Sequence, residues 1–274
     1  LQSDILPVER SENVVLLQVT DTHLFANPEG ALLGVQTLDS FHAIVDAINH
    51  QTPTFDAILA TGDISQDHTK ESYQRFADGI APLVQPCYWL PGNHDYQPSM
   101  QSVLPSDQIK ACEHVLVGEH WQVILLDSQV QGVPHGELSE AQLNLLDKML
   151  GQYADRHSLI LLHHHPMPAG SAWLDQHQLH NNADFWDTLA SHKNVQGILC
   201  GHIHQELDRM SKGIRLLATP STCIQFLPDS DDFALDQQGP GWRLLELTPS
   251  GEIVTKVYRL KDNSFQPNFT STGY

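Results

Sequence analysis

The sequence predicts an α/β fold: two packed sheets flanked by helices, that is, a four-layer αββα sandwich. Three observations predict it. Short apolar runs alternate with helical periodicity through the first two thirds of the chain. The last part changes to strands joined without long helices. Five of the apolar runs stop at residues able to bind metals, and strand ends are where sites assemble in open α/β sheets. At 274 residues one core still suffices, so a single domain over 1–274 is expected, with a C-terminal hairpin at 242–260 inside the second sheet.

The elements follow in order. Val14–Val19 is an apolar strand ending at Thr20-Asp21-Thr22-His23. Leu38, Phe41, Ile44, Val45 and Ile48 have helical spacing. Ala57–Ala60 is a second strand, ending at Thr61-Gly62-Asp63. Residues 72–80 read as a helix, and 87–90 as a third strand ending at Pro91-Gly92-Asn93-His94-Asp95. This β-α-β-α-β order argues for a parallel sheet with crossover helices. A fourth strand covers 121–126. Ser139 opens a helix with Gln142 as its capping-box partner; Leu143, Leu146 and Leu150 mark the buried face. A fifth strand, 158–162, runs into His163-His164-His165-Pro166. A sixth, Val195–Cys200, runs into Gly201-His202-Ile203-His204. Ile214–Ala218, 242–247 and 253–260 are further strands, the last two joined by a turn at Pro249-Ser250-Gly251. Residues 229–240 form an acidic loop, and the segment after Leu260 has no periodicity.

Composition excludes several classes. A net charge of -19 repels nucleic acid and anionic lipid, though bound dications can reverse the sign inside one cleft. Cys87, Cys112, Cys200 and Cys223 form no C-x-x-C pair; Cys87 and Cys200 read as buried thiols of a reducing compartment. Residues 1–13 contain no apolar leader, and no stretch approaches the roughly 18 apolar residues of a membrane span. Cytoplasm is the simplest location. The seventeen histidines are unusual. His42, His50, His120 and His192 read as surface residues, so the informative ones are those at strand ends.

Each strand-end cluster is weak alone. Asp21 reads equally as a helix cap, Asp63 as a turn residue, and His163, His164 and His165 as core histidines. Asn93-His94-Asp95 is stronger, because Gly92 lets the backbone turn as the strand ends. His202 and His204 are stronger still, since residues two apart point the same way in extended backbone. Together they form one site. The donors are carboxylate, amide and imidazole without thiolate, which suits Fe, Mn, Zn or Co. Seven ligands exceed one ion's needs and divide between two metals, one carboxylate bridging.

The order D-x-H, G-D, G-N-H-D, an H-x-x-P or H-x-P histidine, and G-H-x-H over residues 21–204 resembles the calcineurin-like metallophosphoesterase superfamily. Over nearly the whole chain the resemblance is to its class III cyclic-nucleotide phosphodiesterases, through 20–25 (TDTHLF), 90–95 (LPGNHD), 126–141 (LDSQVQGVPHGELSEA), 162–176 (LHHHPMPAGSAWLDQ), 199–207 (LCGHIHQEL) and 216–223 (LLATPSTC). The resemblance implies a dinuclear site at the carboxyl ends of the strands, holding two divalent or trivalent transition-metal ions: Fe or Mn, with Zn or Co as alternatives. Asp21, His23 and His204 would hold the first metal, Asn93, His163 and His202 the second, and Asp63 would bridge. His163 is chosen as the first residue after its strand, with His164 as the alternative. A substrate phosphate would contact His23, Asp63, Asn93, His94 and His204. His94 would be the catalytic acid, oriented by Asp95. The implied reaction is hydrolysis of 3′,5′-cyclic AMP to 5′-AMP. The competing readings are another metallophosphoesterase activity (glycerophosphodiesterase, nucleotide-sugar hydrolase or nuclease) or a non-catalytic module of the same fold. Trp173 and His177, in the loop 167–182, are candidates for contact with the base; the alternative is a surface loop with a packed tryptophan.

Overall fold

The computed structural model describes residues 3–8 and 13–274. Of residues 1–13, in which no leader is expected, residues 1, 2 and 9–12 lie outside the described residues. In chain order the elements are β1 (Asp4–Leu6), β2 (Val14–Val19), β3 (Ala31–Leu32), β4 (Val35–Gln36), α1 (Thr37–Gln51), β5 (Ala57–Ala60), α2 (Lys70–Ile80), β6 (Cys87–Trp89), α3 (Gln97–Val103), β7 (Ile109–Lys110), β8 (His114–Val117), β9 (Trp121–Leu125) and α4 (Glu140–Gln152). There follow β10 (His157–Leu161), α5 (Ala172–Asp175), α6 (Asn182–Ala190), β11 (Val195–Cys200), β12 (Leu207–Ser211), β13 (Ile214–Ala218), β14 (Gly241–Leu247) and β15 (Ile253–Arg259).

Two sheets carry the fold. One has the order β15-β14-β2-β5-β6-β7, the other β1-β8-β9-β10-β11-β13-β12. The strands that end in the candidate ligands pair parallel: β2 with β5, β5 with β6, and β10 with β11. The β14–β15 hairpin extends the first sheet by antiparallel pairing of β14 with β2.

Strand alternation sorts side chains into layers. Leu17, Val19, Ile58 and Ala60 pack with Phe41, Ile44, Tyr73 and Phe76 of α1 and α2. Their neighbours Leu16 and Leu59 pack instead with Leu125, Leu159, Leu161, Leu199 and Leu217 of the second sheet. On that sheet's outer face, Ile160, Ile198 and Leu216 meet Leu146 and Leu150 of α4 and Phe185 and Leu189 of α6. The result is the αββα order, held by side chains each worth roughly 1.5–3 kcal/mol on full burial. A buried polar seam fixes the sheets relative to one another. Arg243 donates to Ala218 O (2.7 Å) and Thr219 Oγ1 (3.0 Å), and Gln18 Nε2 to Cys200 O (3.2 Å). A buried network satisfied at each step favours one arrangement over its neighbours.

Element ends move by one to three residues from the sequence reading. The helix read from Ser72 begins at Lys70, because Thr69 Oγ1 accepts the Ser72 N–H. Ser139 caps α4 as expected, accepting the Gln142 N–H at 3.2 Å. The capping box does not close. Gln142 Oε1 accepts from Asp127 N at 2.8 Å, so this side chain ties α4 to the loop after β9. Strands β1, β3, β4, β7, β8 and β12 and helices α3, α5 and α6 lack a sequence prediction. β12 carries little apolar signal, since its burial alternates along a sheet edge. Cys87 and Cys200 are buried and unpaired. His42 and His50 are exposed, whereas His192 is half-buried against Asp147 at 2.7 Å.

Candidate metal centre

The five ligand-bearing segments converge where the carboxyl ends of the two sheets meet. The loop after β2 lies beside the loop after β5, through Asp21 N to Gly62 O (3.0 Å) and His23 N to Asp63 O (2.9 Å). The loop after β6 closes on Asp63, whose Oδ1 accepts from His94 N at 2.8 Å. The backbone is unusual here. Asp21, His23, Asp63, His202 and His204 have φ between 46° and 68°, a left-handed region that residues with a side chain rarely enter. Such strain collects at functional sites and persists because surrounding contacts fix it. It also corrects the reading of the G-H-x-H segment: the backbone there is not extended, and His204 joins the group of Asp21 and His23 while His202 joins that of Asp63 and His163.

Two close approaches need glycine. A Cβ on Gly92 would stand 2.1 Å from Asp63 Oδ1, and one on Gly201 would stand 2.3 Å from Thr20 Oγ1. The φ of Gly92 is not positive, so it serves close approach rather than the expected sharp turn.

The donor atoms fall into overlapping groups. Asp21, His23 and His204 bring ligand atoms within 4.8 Å of one another, as do Asp63, His163 and His202, and His23, Asp63 and His94. Asp63 Oδ2 lies 3.8 Å from His23 Nε2 and 3.2 Å from His163 Nε2, so it reaches both sides. Asp21 Oδ1 lies 3.2 Å from His204 Nε2. His23 Nε2 and His204 Nε2 face each other at 3.1 Å.

The other ring nitrogen fixes three of these histidines. Nδ1 of His23 donates to Gln66 Oε1 (2.7 Å), that of His163 to Thr61 O (2.7 Å), and that of His204 to Ile224 O (2.9 Å). This tautomer leaves each Nε2 with a lone pair pointing into the site. His164 is different: Nδ1 pairs with Ser128 Oγ at 2.7 Å and Nε2 with Pro134 O at 3.1 Å. Both its nitrogens are thus spent elsewhere.

Buried polar atoms normally have partners, and leaving one without costs about 1–3 kcal/mol. Asp21 Oδ1, Asn93 Oδ1, His163 Nε2 and His202 Nε2 are buried without one. Four such atoms from four segments, one of them a carboxylate oxygen, with the Asp63 carboxylate buried among the same histidines, are what a cation site requires. The residues present fit a metal. Burial acts to raise the Asp63 carboxyl, but the charges of His163 and His94 bring it well below the usual carboxylate range. Burial lowers His163, and Asp63 more than reverses this, lifting it to about 9. Burial holds His23 down to about 3.

One expected role fails. Asp95 does not orient His94. Its buried carboxylate accepts from Ile64 N (3.1 Å), Ser65 N (3.0 Å), Gly92 N (2.9 Å) and Tyr73 Oη (3.0 Å). It staples the loop carrying Asn93 to the loop carrying Asp63. Gln129 Nε2 braces the same loop from outside, through Gly92 O and Asp95 O.

The centre opens into a groove of about 470 Å³, lined in part by Asn93, His94, His202, Trp173, His177 and Tyr274. Trp173 and His177 therefore lie beside the site. Sequence reasoning missed Gln66, Phe226 and Tyr274. Phe226 stacks on His204 (centroids 4.2 Å apart, planes at 14°) and Tyr274 on His94 (5.3 Å, 15°).

With this geometry in view, residues 14–206 match the model of the calcineurin-like phosphoesterase family. The chain belongs to that family. Among calcineurin-like phosphoesterases it is 60% identical to the 3′,5′-cyclic adenosine monophosphate phosphodiesterase CpdA of Vibrio vulnificus, over 96% of this chain and 97% of that protein. The CpdA of Escherichia coli K12 is 54% identical over 98% of each chain. A dimetal phosphatase from Danio rerio shares the fold at a TM-score of 0.64 and 16% identity, covering 88% of this chain and 98% of its own. Among the described residues no helix is long and apolar enough to cross a membrane.

Proposed function

We propose that this chain hydrolyses 3′,5′-cyclic AMP to 5′-AMP at a two-metal centre. The gathering of four partnerless buried donor atoms at the head of an open groove supports the centre. Near full-length identity to two CpdA phosphodiesterases supports the substrate.

In this reading Asp21, His23 and His204 hold one metal, Asn93, His163 and His202 the other, and Asp63 bridges them. The carboxylate, amide and imidazole donors suit Fe, Mn, Zn or Co. Bound metals supply an acidified water and neutralise charge on the phosphate. The protein does the rest. Asp63 is fixed through Oδ1 by the His94 N–H, and its Oδ2 lies toward both histidine groups. Asn93 and His94 line the groove, and a phosphate at the centre would contact them together with His23, Asp63 and His204. Water oxygen joins phosphorus, the bond to the ribose 3′ oxygen breaks, and His94 gives that oxygen its proton. The acidic chain acts on a small nucleotide rather than nucleic acid or membrane, as one unit over 1–274, in the cytoplasm. The test is a substrate screen with purified protein: cyclic AMP, cyclic GMP, 2′,3′-cyclic AMP, glycerophosphodiesters and single-stranded DNA. Hydrolysis of cyclic AMP to 5′-AMP is expected to dominate. Preference for a glycerophosphodiester or DNA would overturn the reading.

A further inference from the structure

Residues 126–141 contribute no ligand and no proton to the centre, yet they hold the turns that do. The segment connects β9 of the second sheet to α4 and reaches across to the first sheet. Gln129 Nε2 donates to Gly92 O (2.8 Å) and to Asp95 O (2.6 Å). Those carbonyls are the two ends of the turn that carries Asn93 and His94. One amide group thus closes the turn from outside, while Asp95 N donating to Gly92 O at 3.2 Å closes it from within. The same segment holds the neighbouring ligand turn. Ser128 Oγ and Pro134 O pair with the two ring nitrogens of His164, which directly follows His163. An antiparallel bridge between Gln129 and Gly136 ties the two arms of the segment together.

The Gln129 amide has one allowed orientation. Both partners of its nitrogen are carbonyls, so Nε2 spends both hydrogens on them. Oε1 then accepts from Gln97 Nε2 at 2.8 Å, and Gln97 Nε2 spends its second hydrogen on Asp127 Oδ2 at 2.8 Å. Asp127 is fixed in turn. Its Oδ1 accepts from Gln129 N (2.9 Å), and its own N–H donates to Gln142 Oε1 (2.8 Å). Reversing either amide would set oxygen against oxygen.

We propose that Gln129, oriented by Gln97 and Asp127, is a positioning residue that sets where Asn93 and His94 stand at the metal centre. The proposal rests on the reading of this chain as a two-metal phosphodiesterase. Among the described residues none hydrogen-bonds the His94 ring, so the backbone of the turn decides where that ring reaches. Asn93 and His94 are consecutive, and a shift of the turn moves ligand and acid together. A misplacement of about 1 Å at a reacting group costs on the order of 10²-fold in rate.

The test uses Gln129→Met, which keeps the length and loses both donors, and Gln129→Glu, which keeps the shape and turns an acceptor toward the two carbonyls. With metal saturating, both variants are expected to lose roughly 10–100-fold in kcat on cyclic AMP. On bis-nitrophenyl phosphate, whose leaving group needs no proton, the loss should stay within about threefold. In a His94→Ala background, Gln129→Met should cost little further on cyclic AMP, because the brace acts through that residue. Calorimetry with Mn²⁺ should find one site weakened in Gln129→Met and the other unchanged, since Asn93 belongs to one metal. Wild-type kinetics, equal losses on both substrates, or full additivity with His94→Ala would overturn the proposal. If Gln129→Met does not fold, Gln97→Leu frees the same amide without touching the turn. It should show the same split between substrates at smaller size, and equal losses there would overturn the proposal too. If the wild-type protein hydrolyses neither substrate, the reading of the reaction fails and the calorimetry still tests the brace: two unchanged sites, or two equally weakened, would overturn it.

Discussion

The inner and outer halves of the groove are built by opposite rules. The inner half hangs on short loops that continue the strands β2, β5, β6, β10 and β11, with backbone forced to positive φ at five positions and histidine tautomers set by hydrogen bonds. The outer half is supplied by long connections that touch mainly through rings, two of which, Phe226 and Tyr274, reach inward to stack on His204 and His94. The inner half can hold metals because little in it can move. The outer half can differ between relatives of one fold without disturbing that chemistry, so the fold alone does not name a substrate.

The largest effect that would break this contrast is at Asp63. Because its carboxylate reaches both histidine groups, Asp63→Ala should lose both metals and all measurable hydrolysis. His204→Ala should weaken chiefly the site shared with Asp21 and His23. Metal analysis of the two variants checks this, and equal loss in both would remove Asp63 from the bridging position.

A smaller effect sharpens the boundary between the halves, where His94 stands. His94→Ala should keep its metals and lose roughly 10²–10⁴ in kcat/KM on cyclic AMP. It should lose much less on bis-nitrophenyl phosphate, whose leaving group needs no proton. Equal losses would mean that His94 positions the phosphate or stabilises its charge instead.

The smallest effect is on pH. In metal-free protein, Asp63 lifts His163 above its ordinary 6.5 to about 9. The proton on His163 is therefore fully held below the ordinary value and leaves as pH rises through about 9. A metal must displace it, so metal affinity should climb by up to about tenfold per pH unit in that window and then level off. Titration calorimetry should show proton release on metal loading at neutral pH. Affinity independent of pH would contradict the assignment of His163.

These differences also explain what the sequence made legible. Apolar strands followed by Asp21, Asp63, Asn93, His163, His202 and His204 were readable because strand period and ligand chemistry are local signals. What separates His163 from His164 is that both ring nitrogens of His164 pair with Ser128 and Pro134, which alternation at a strand end does not reveal. The role of Asp95 was misread for the same reason: its partners Ile64, Ser65 and Tyr73 lie 31, 30 and 22 residues away. Gln142 had a local motif, yet a nearer competitor in space, Asp127 N, took its side chain. Tyr274 follows a stretch without periodicity, and only the tertiary fold brings it to His94.

A two-metal centre in the inner half, serving hydrolysis of cyclic AMP, fixes both the metal content and the activity of the protein. Metal content per chain, measured alongside turnover of cyclic AMP before and after chelation, tests it most directly. About two transition-metal ions per chain are expected, with hydrolysis lost on their removal and restored by their return. Full activity in metal-free protein would contradict it.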